Sequence, residues 1–447
     1  MVMVEYMKAI IRKITPEWVI SVYHYALASA ANIWYARPSE KMIVIGVTGT
    51  NGKTTTTRFI AEALRSCGKK VGLVSTAEFQ IGDMTWLNDM KMTMPGRFAL
   101  QKLLRRMVKA QCEYAIVETS SQGVEQHRHI GINYDIVVFT NLTPEHIEAH
   151  GGFENYKNAK GKLFSHLARM KRKTIAGCEI PKVSIVNLDD PYASYFLQFS
   201  SDKKIGYTLK SFYDIRGVEE MRADNVSVRS DGSDFIFMGE AVHIAMPGQY
   251  NVYNAVAALC ACSTLGFSVR ESKGGLEAAY VPGRMEFIRE GQDFYIVIDY
   301  APEPEGLRNT YGALKALEEN SVIHVLGSCG GGRDRARRPI MGDIAGKNAK
   351  YVIVTNEDPY DDDPNVIIDE VAVGALRAGK IENKDLFKIL DRREAIRKAL
   401  ELARPRDLVL ITGKGCEQAM AVAKNKKIPW DDRAVAREEL KNLKPIT

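Results

Sequence analysis

Short apolar runs alternate with segments of helical periodicity along most of the chain. This alternation predicts parallel sheets whose strands are joined by crossover helices. We interpret five runs as buried strands of a first sheet: 42–47, 71–75, 114–118, 136–140 and 183–187. A second series follows residue 283, at 295–299, 322–327, 351–355, 387–390 and 408–412. The pattern therefore predicts an α/β protein with two consecutive sheets.

Between the two series, residues 224–245 alternate apolar and polar positions, which predicts a small antiparallel sheet. Helices are predicted at 53–67, 250–265 and 432–443. A length of 447 residues exceeds one ordinary domain. We therefore divide the chain into an N-terminal helical segment (1–41), a central parallel-sheet domain (42–282) and a smaller Rossmann-like C-terminal domain (283–447).

The N-terminal segment carries an uncharged stretch from Trp18 to Ala36, preceded by Lys8, Arg12 and Lys13. Polar residues recur in it at roughly helical spacing, namely Ser21, His24, Ser29 and Asn32. The polar stripe and the modest apolarity argue against a membrane span, and no cleavage site of a signal peptide stands out. Two alternatives stay open: a helix packed on the following domain, or peripheral membrane contact through residues 16–36.

The composition is that of a globular protein, with 45% hydrophobic and 26% charged residues and a net charge of +6. This charge suits anionic substrates and does not argue for nucleic acid. The arginines between residues 333 and 338 are interrupted by Asp334 and lack interleaved aromatics, so no nucleic-acid partner is expected. Seven cysteines without zinc spacing indicate a reducing compartment, and we expect a cytoplasmic monomer.

A glycine-rich loop follows the first strand and precedes the first helix of the central domain. Its residues are Gly49, Thr50, Asn51, Gly52, Lys53, Thr54 and Thr55. Backbone N–H groups and a helix N-terminus would face phosphates there, Lys53 would neutralise them, and the Thr54 hydroxyl could ligate Mg²⁺. The spacing departs from the standard GxxxxGK[ST] pattern, because Val47 stands at the first glycine position. We predict a P-loop ATPase domain that binds ATP and Mg²⁺.

The surrounding motifs resemble those of the Mur ligase family, and most closely its MurE type, the UDP-N-acetylmuramyl-tripeptide synthetases. The resemblance runs in order to about Arg433. It rests on GVTGTNGKTTTT (46–57), VETSSQGVEQHR (117–128), FTNLTPEHIEAHG (139–151), YKNAKGKLF (156–164), YNVYNAVAA (250–258), PGRME (282–286), DYA (299–301), GSCGGGRDRARRPIMG (327–342), GKGCE (413–417) and WDDR (430–433).

The resemblance implies a ligase that activates a carboxylate as an acyl phosphate, which an amine then attacks. Glu118 and His146 lie at or just past strand ends, where sites form in α/β proteins. A lone histidine would by itself be read as a packing residue, since Mg²⁺ prefers oxygen ligands. Only the family pattern makes His146 a metal ligand, with Thr54 and Glu118. It likewise implies that Lys160, otherwise read as a solvated helix lysine, is carbamylated and ligates metal.

Other roles also come from the resemblance alone. For ATP it implies Asn251 near the adenine, Asp299 near the ribose, and Arg284 and Arg333 near the phosphates. For a muropeptide acceptor and an incoming amino acid, it implies a further set of contacts. These are Thr93, Ser120, Gln126, Arg128, Asp358, Gly413 and Glu417. We assign catalytic roles to Lys53, Glu118, His146 and Lys160.

The chain departs from the family pattern at both substrate ends. Residues 357–360 read EDPY where the family has DNPR for diaminopimelate or DDPN for lysine. Cys416 replaces a histidine, and Pro302 follows the DYA motif. Only about 41 residues precede the first strand, so we expect the usual UDP-binding domain to be lacking.

Our first functional hypothesis is an amino-acid ligase of peptidoglycan precursor synthesis, acting on UDP-MurNAc-L-Ala-D-Glu or a related muropeptide. The alternative is a ligase on the same scaffold, either similar to folylpolyglutamate synthase or acting on a lipid-linked precursor. A non-catalytic nucleotide-binding scaffold is a third reading. It predicts loss of the metal positions, yet Lys53, Thr54, Glu118, His146 and Lys160 are all present.

Overall fold

The larger of two main sheets has eleven strands in the computed structural model, which describes residues 15–144, 150–317, 320–424 and 426–443. Its strands are β1 (Ile43–Thr48), β2 (Val71–Val74), β3 (Glu78–Ile81), β4 (Met84–Leu87), β5 (Tyr114–Glu118), β6 (Ile136–Phe139), β9 (Val183–Asn187), β10 (Lys203–Thr208), β11 (Glu219–Arg229), β12 (Gly232–Phe237) and β13 (Glu240–Ile244). Strands β7 (Lys173–Ile175) and β8 (Cys178–Ile180) form a separate hairpin.

The spatial order of the large sheet is β13–β12–β11–β10–β9–β6–β1–β5–β2–β3–β4. Strand β1 is central and runs parallel to β5 on one side and to β6 on the other. The carboxyl ends of these three strands therefore lie side by side, where open α/β sheets place their binding sites.

Helices cover both faces of this sheet. They are α1 (Glu17–Trp34), α2 (Lys53–Ser66), α3 (Arg97–Lys109), α4 (Ser121–Glu125), α5 (Phe153–Arg169), α6 (Ala193–Leu197), α7 (Gln249–Thr264) and α8 (Val269–Glu277). Alternate residues of β1 point to opposite faces. Ile45 and Val47 pack with α2 and α7, whereas Val44 packs in the core that α3 and α5 share.

The second sheet has six strands in the order β14–β15–β19–β16–β17–β18. They are β14 (Glu286–Ile288), β15 (Tyr295–Ile298), β16 (Val322–Leu326), β17 (Tyr351–Thr355), β18 (Leu386–Ile389) and β19 (Leu408–Ile411). Of the described strands of this sheet, only β14 is antiparallel to its neighbour. The flanking helices are α9 (Pro304–Leu314), α10 (Arg337–Asn348), α11 (Pro364–Arg377), α12 (Arg392–Leu402) and α13 (Asp432–Asn442). A hairpin of β20 (Ala419–Val422) and β21 (Lys426–Pro429) follows β19.

Helix α1 packs with one side against α3, where Ala28 and Ala31 are buried. Ser21 Oγ lies 2.7 Å from His127 Nε2, which ties α1 to the turn after α4. Among the helices of the described ranges, none combines the length and apolarity needed to cross a membrane.

The sequence prediction of an α/β fold with two parallel-dominated sheets is confirmed, and each predicted strand is present. The antiparallel strands within 224–245 are not a separate sheet, because β11 pairs in parallel with β10 and so extends the large sheet. The boundary proposed at Pro282 and Gly283 lies between α8 and β14. As a domain boundary it stays a prediction.

Candidate active site

The loop between β1 and α2 is a tight cradle at the N-terminus of α2. Gly49 and Gly52 have φ angles of 152° and 82°. A Cβ atom on Gly49 would lie 1.9 Å from Thr140 Oγ1, and one on Gly52 would lie 2.1 Å from Asn254 Oδ1. Glycine is thus required both for conformation and for close packing. The backbone N–H groups of this cradle suit phosphate oxygens.

The loop is fixed against the end of β6. Thr50 N donates to Asn141 O at 2.8 Å, and Asn51 N donates to Asn141 Oδ1 at 2.9 Å. The Lys53 ammonium donates to the carbonyls of Gly49 (3.0 Å) and Thr50 (2.7 Å). The positive charge of Lys53 therefore lies over the loop that would hold the phosphates.

Thr54 and Glu118 form the oxygen-rich part of the site. Thr54 Oγ1 donates to Glu118 and lies 3.1 Å from each carboxylate oxygen, Oε1 and Oε2. Thr76 holds the same carboxylate through its backbone N–H (2.7 Å) and its hydroxyl (2.9 Å). A hydroxyl beside a buried carboxylate matches the oxygen ligands that Mg²⁺ prefers, so these residues fit the expected metal.

Lys160 projects from α5 into the same region and is only 1% exposed. Its ammonium donates to Gly49 O at 2.6 Å and lies 4.4 Å from the centre of the Tyr156 ring. Lys160 is thus a buried residue of the site rather than a solvated helix lysine. His146 lies outside the described residues, so its role and the carbamylation of Lys160 stay predictions.

The second sheet contributes side chains to the phosphate loop. Arg284 donates from Nη2 to Thr54 Oγ1 at 3.3 Å, and its guanidinium lies 4.3 Å from the centre of the Tyr300 ring. Arg284 Nε is buried and has no hydrogen-bond partner among the described residues. Asn51 Nδ2 donates at 2.8 Å to Oε1 of Glu303, which is the N-cap residue of α9. Both sheets therefore meet at the loop.

Asn251 and Asp299 make internal contacts. Asn251 is fully buried in α7, and its Nδ2 donates to Pro247 O at 2.9 Å. Asp299 accepts hydrogen bonds from Met285 N (3.2 Å) and Thr310 Oγ1 (2.6 Å). Their predicted contacts with adenine and ribose stay predictions.

Four charged groups meet where the loops after β17 and β19 approach the loop after β4. Lys414 Nζ lies 3.0 Å from Asp358 Oδ1 and 2.5 Å from Glu417 Oε2. Lys91 forms an ion pair with Asp358, and its Nζ lies 3.5 Å from Glu417 Oε2. Burial would raise the pKa of Asp358, but the ammonium groups of Lys414 and Lys91 hold it below its ordinary value. This cluster presents carboxylates to which an amino group can bind.

Gly413 adjoins this cluster with a φ of 106°, and a Cβ atom there would lie 2.3 Å from Glu357 Oε2. Glu357 is buried and accepts a bond from Cys329 Sγ at 2.9 Å. Burial raises the pKa of Glu357, and the neighbouring Asp358 raises it further. A second and more weakly acidic carboxyl group, that of Glu357, therefore lies behind Asp358.

The residues predicted for the acceptor lie on the other side of the phosphate loop. Thr93 Oγ1 lies 2.9 Å from Thr76 Oγ1, next to the Glu118 carboxylate. Ser120 caps α4 by accepting from Gly123 N at 3.1 Å. Arg128 donates to Gln126 Oε1 at 2.6 Å. Their contacts with substrate stay predictions.

One continuous cavity of about 1920 Å³ joins these regions. The predicted residues on its wall are Thr50, Asn51, Gly52, Lys53, Thr54, Thr55, Thr93, Glu118, Ser120, Gln126, Arg128, Lys160, Arg284, Arg333 and Glu417. The structure thus brings together the loop, metal and acceptor positions together with Glu417. Gly49, Asn251, Asp299, Asp358 and Gly413 are not on this wall.

Several residues of the site were missed from the sequence. Thr76 follows a predicted strand, and Asn254 follows Asn251 by three positions on a predicted helix. Both positions were recognisable as facing the site. Lys91 and Glu303 lie in irregular segments. Their partners are distant along the chain, so no local sequence pattern predicts these contacts.

Comparison with known proteins places these features in a family. The family model described as Mur ligase middle domain matches residues 47–262. The model described as Mur ligase, glutamate ligase domain matches residues 283–415. Together these matches include the phosphate loop, Glu118, Lys160, Asp358 and Gly413.

Among curated relatives, a UDP-N-acetylmuramyl-tripeptide synthetase of Roseiflexus sp. (strain RS-1) is 39% identical over 94% of this chain and 82% of its own length. A UDP-N-acetylmuramoyl-L-alanyl-D-glutamate–2,6-diaminopimelate ligase of Geobacillus kaustophilus (strain HTA426) is 36% identical over 95% of this chain and 84% of its own.

Solved structures agree with this grouping. A UDP-N-acetylmuramoyl-L-alanyl-D-glutamate–2,6-diaminopimelate ligase superposes with a TM-score of 0.59 at 30% identity, over 90% of this chain and 79% of its own. Folylpolyglutamate synthase of Mycobacterium tuberculosis has a TM-score of 0.67 at 16% identity, over 96% of this chain and 100% of its own, and shares the fold. From these matches and the residues they cover, the chain belongs to the Mur ligase family of ATP-dependent ligases.

Proposed function

We propose that the chain adds an amino acid to UDP-MurNAc-L-Ala-D-Glu, or to a related muropeptide, with ATP as the energy source. The main support for this proposal is that one cavity contains the phosphate loop, the residues expected to hold the acceptor, and Glu417. A ligase needs these three sites in contact, because the acceptor carboxylate must meet first a phosphate and then an amine.

At the ATP end, Lys53 and Arg284 would neutralise the charge that develops as the phosphoryl group moves. Both cations are already directed at the loop, since Lys53 donates to its carbonyls and Arg284 donates to Thr54. Mg²⁺ would be held by Thr54 and Glu118, with carbamylated Lys160 and His146 as further candidates, and would supply charge neutralisation there. Thr76 orients the Glu118 carboxylate through two hydrogen bonds.

At the acceptor end, Arg128 and Thr93 would orient the muropeptide so that its free carboxylate faces the phosphate loop. A guanidinium can grip a carboxylate through two parallel hydrogen bonds. The acceptor carboxylate oxygen then attacks the terminal phosphorus of ATP, giving an acyl phosphate and ADP. Arg128 and Thr93 would assist that step by holding the acceptor carboxylate in a fixed orientation.

At the amine end, Glu417 would bind the ammonium group of the incoming amino acid, with Asp358 beside it. Once the amine has lost a proton it attacks the acyl carbon, an amide bond forms, and inorganic phosphate leaves. The site does not carry an arginine where the family motif for diaminopimelate has one, since Tyr360 occupies that position. The assay of this proposal therefore compares several amino acids.

The alternative of a folylpolyglutamate-type ligase has less support. Its solved structure shares the fold at 16% identity, whereas the tripeptide synthetase of Roseiflexus is 39% identical. A non-catalytic scaffold is disfavoured by the retained Lys53, Thr54, Glu118 and Lys160. The monomeric state, the cytoplasmic location and the domain boundaries stay predictions.

The test is phosphate release from ATP with UDP-MurNAc-L-Ala-D-Glu and a panel of amino acids that includes diaminopimelate and lysine. We expect release that requires the acceptor, Mg²⁺ and one amino acid, together with a product heavier by that residue. A polyglutamylated folate formed in parallel reactions, with no reaction on the muropeptide, would overturn the proposal in favour of the alternative.

A further inference from the structure

Helix α1 exposes a broad apolar face. Trp18 and Trp34 are 70% and 78% exposed, and Val22, Tyr23 and Ile33 between them are also exposed. The exposed half of the helix contains no charged side chain between Trp18 and Trp34. A cluster of large apolar side chains exposed to water marks a surface that binds a membrane or another protein.

The opposite half of α1 is fixed to the candidate site. Ser21 lies 2.7 Å from His127, next to the predicted acceptor residue Arg128. A Cβ atom on Gly131 would lie 2.7 Å from Asn32 Cβ, so α1 packs closely on the turn after α4. Trp18, Tyr25 and Ile33 also line the cavity that contains the phosphate loop. The exposed face is therefore continuous with the rim of the cavity.

Charge and side-chain type identify what would cover this face. Lys8, Arg12 and Lys13 precede the helix in sequence, and Arg37 and Lys41 follow it with exposed side chains. Between Lys8 and Lys41 these five cations are accompanied by two acidic residues, Glu17 and Glu40. Tryptophan and tyrosine favour the boundary between lipid headgroups and acyl chains. Flanking cations add attraction to anionic lipids.

The size of the face argues against a second copy of the chain as its partner. An 18-residue helix is about 27 Å long, so half of its surface offers roughly 400 Å². A stable protein interface needs about 800 Å² from each partner. Binding of the helix to a bilayer surface does not require an area of this size, because the apolar face only needs to be immersed at the headgroup boundary.

We propose that α1 docks the enzyme on an anionic lipid bilayer, with Trp18, Val22, Tyr23, Ile33 and Trp34 immersed. The helix then lies in the plane of the interface, as its length and polarity require. Resting on the proposed ligase function, this places the rim of the acceptor cavity at the lipid headgroups. An acceptor held at the membrane would then enter the cavity directly.

The test is co-sedimentation of the full chain with vesicles, without substrates. Vesicles contain phosphatidylglycerol and phosphatidylcholine in equal parts, or phosphatidylcholine alone. We expect binding to the anionic vesicles, weakened by salt, and a blue shift of tryptophan fluorescence on binding. The combined variant V22S/Y23S/W34S should bind roughly a hundredfold more weakly, since three apolar side chains no longer enter the interface.

The variant is chosen so that the site is untouched, because Val22, Tyr23 and Trp34 are not on the wall of the cavity. Ile381→Ser is the control, since Ile381 is an exposed apolar residue in the loop between α11 and β18. The proposal is overturned if the wild type does not bind the vesicles. It is also overturned if the wild type and the triple variant bind them equally well. A dimer that the triple variant dissociates overturns it in favour of a second copy. Phosphate release in vesicle-free solution tests the ligase function separately.

Discussion

Lys91 and Asp358 form an ion pair across the two sheets, although 267 positions separate them in the sequence. The Lys91 ammonium also lies 3.5 Å from Glu417, the carboxylate to which we assign the incoming amino group. A lysine of the chain thus already lies where a substrate ammonium would bind, and the two cations would compete for the same carboxylates.

We expect Lys91→Met to lower the KM for the amino acid by about five- to tenfold, because one competing positive charge is removed from a buried cluster. Initial rates at varied amino-acid concentration measure this effect. Lys427→Met is the control, since Lys427 Nζ donates to Met90 O at 2.8 Å and joins the same loop to β21 without entering the cluster. An unchanged or raised KM in Lys91→Met would contradict the competition.

Lys160→Ala should abolish turnover while leaving ATP binding largely intact. The residue lies beside Gly49 of the phosphate loop, and its proposed carbamate would provide a metal ligand rather than a contact to the nucleotide. Phosphate release and calorimetric titration with ATP separate the two effects. Lys157→Ala on the same helix is the control, because Lys157 pairs with Glu154 outside the loop. Full activity in the Lys160 variant would remove the carbamate from the mechanism.

Glu118→Gln should lower kcat by about a hundredfold or more, and it should raise the Mg²⁺ concentration needed for half-maximal rate. The amide oxygen can still accept from Thr54 Oγ1 and Thr76 N while the amide nitrogen donates to Thr76 Oγ1, so the fold is retained without the negative charge. Rates across a magnesium series measure this. Glu113→Gln, at an exposed position, is the control. A variant with wild-type magnesium dependence would show that Glu118 is not a metal ligand.

His324 should make the free energy of unfolding depend on acid pH. It lies inside the second sheet between Tyr311 Oη (2.8 Å) and Thr412 Oγ1 (3.0 Å). Burial lowers its pKa from an ordinary 6.5 to about 3. Below pH 6.5 the unfolded chain therefore binds a proton that the folded chain does not. As the pH falls below 6.5, the free energy of unfolding decreases by up to about 1.4 kcal/mol per pH unit until the pH approaches 3.

Urea unfolding across this pH range gives the slope for the wild type and for His324→Gln. The glutamine can still bond to one neighbour but does not titrate, so its slope should be smaller by up to one proton. Equal slopes in the two proteins would show that His324 contributes no part of the acid sensitivity.

The sequence predicts the sheets well because buried parallel strands are nearly continuous apolar runs, as in β1 and β16. Strand β3 was missed, since Glu78 and Gln80 interrupt any apolar pattern although both are buried. Their burial depends on neighbours such as Arg58, which only the folded chain supplies.

The same limit applies to the candidate site. The phosphate loop is readable because all its functional groups are local in sequence. The Lys91 and Glu303 contacts are not, because each joins segments that only tertiary folding brings together. Asn251 is a motif position whose side chain donates to Pro247 O in the structure, and its contact with adenine stays a prediction.

The hydrogen bond from Asn51 to Glu303 has a thermodynamic consequence. It connects the loop that receives the nucleotide to the helix α9 that begins the second sheet's flank. A nucleotide whose binding strengthens or weakens this bond would change how firmly α9 is held against the loop. By thermodynamic reciprocity, a substrate that acts on the same bond would change the affinity for the nucleotide by the factor by which the nucleotide changes the affinity for that substrate. The two binding sites would then be coupled through one hydrogen bond, without a separate regulatory site.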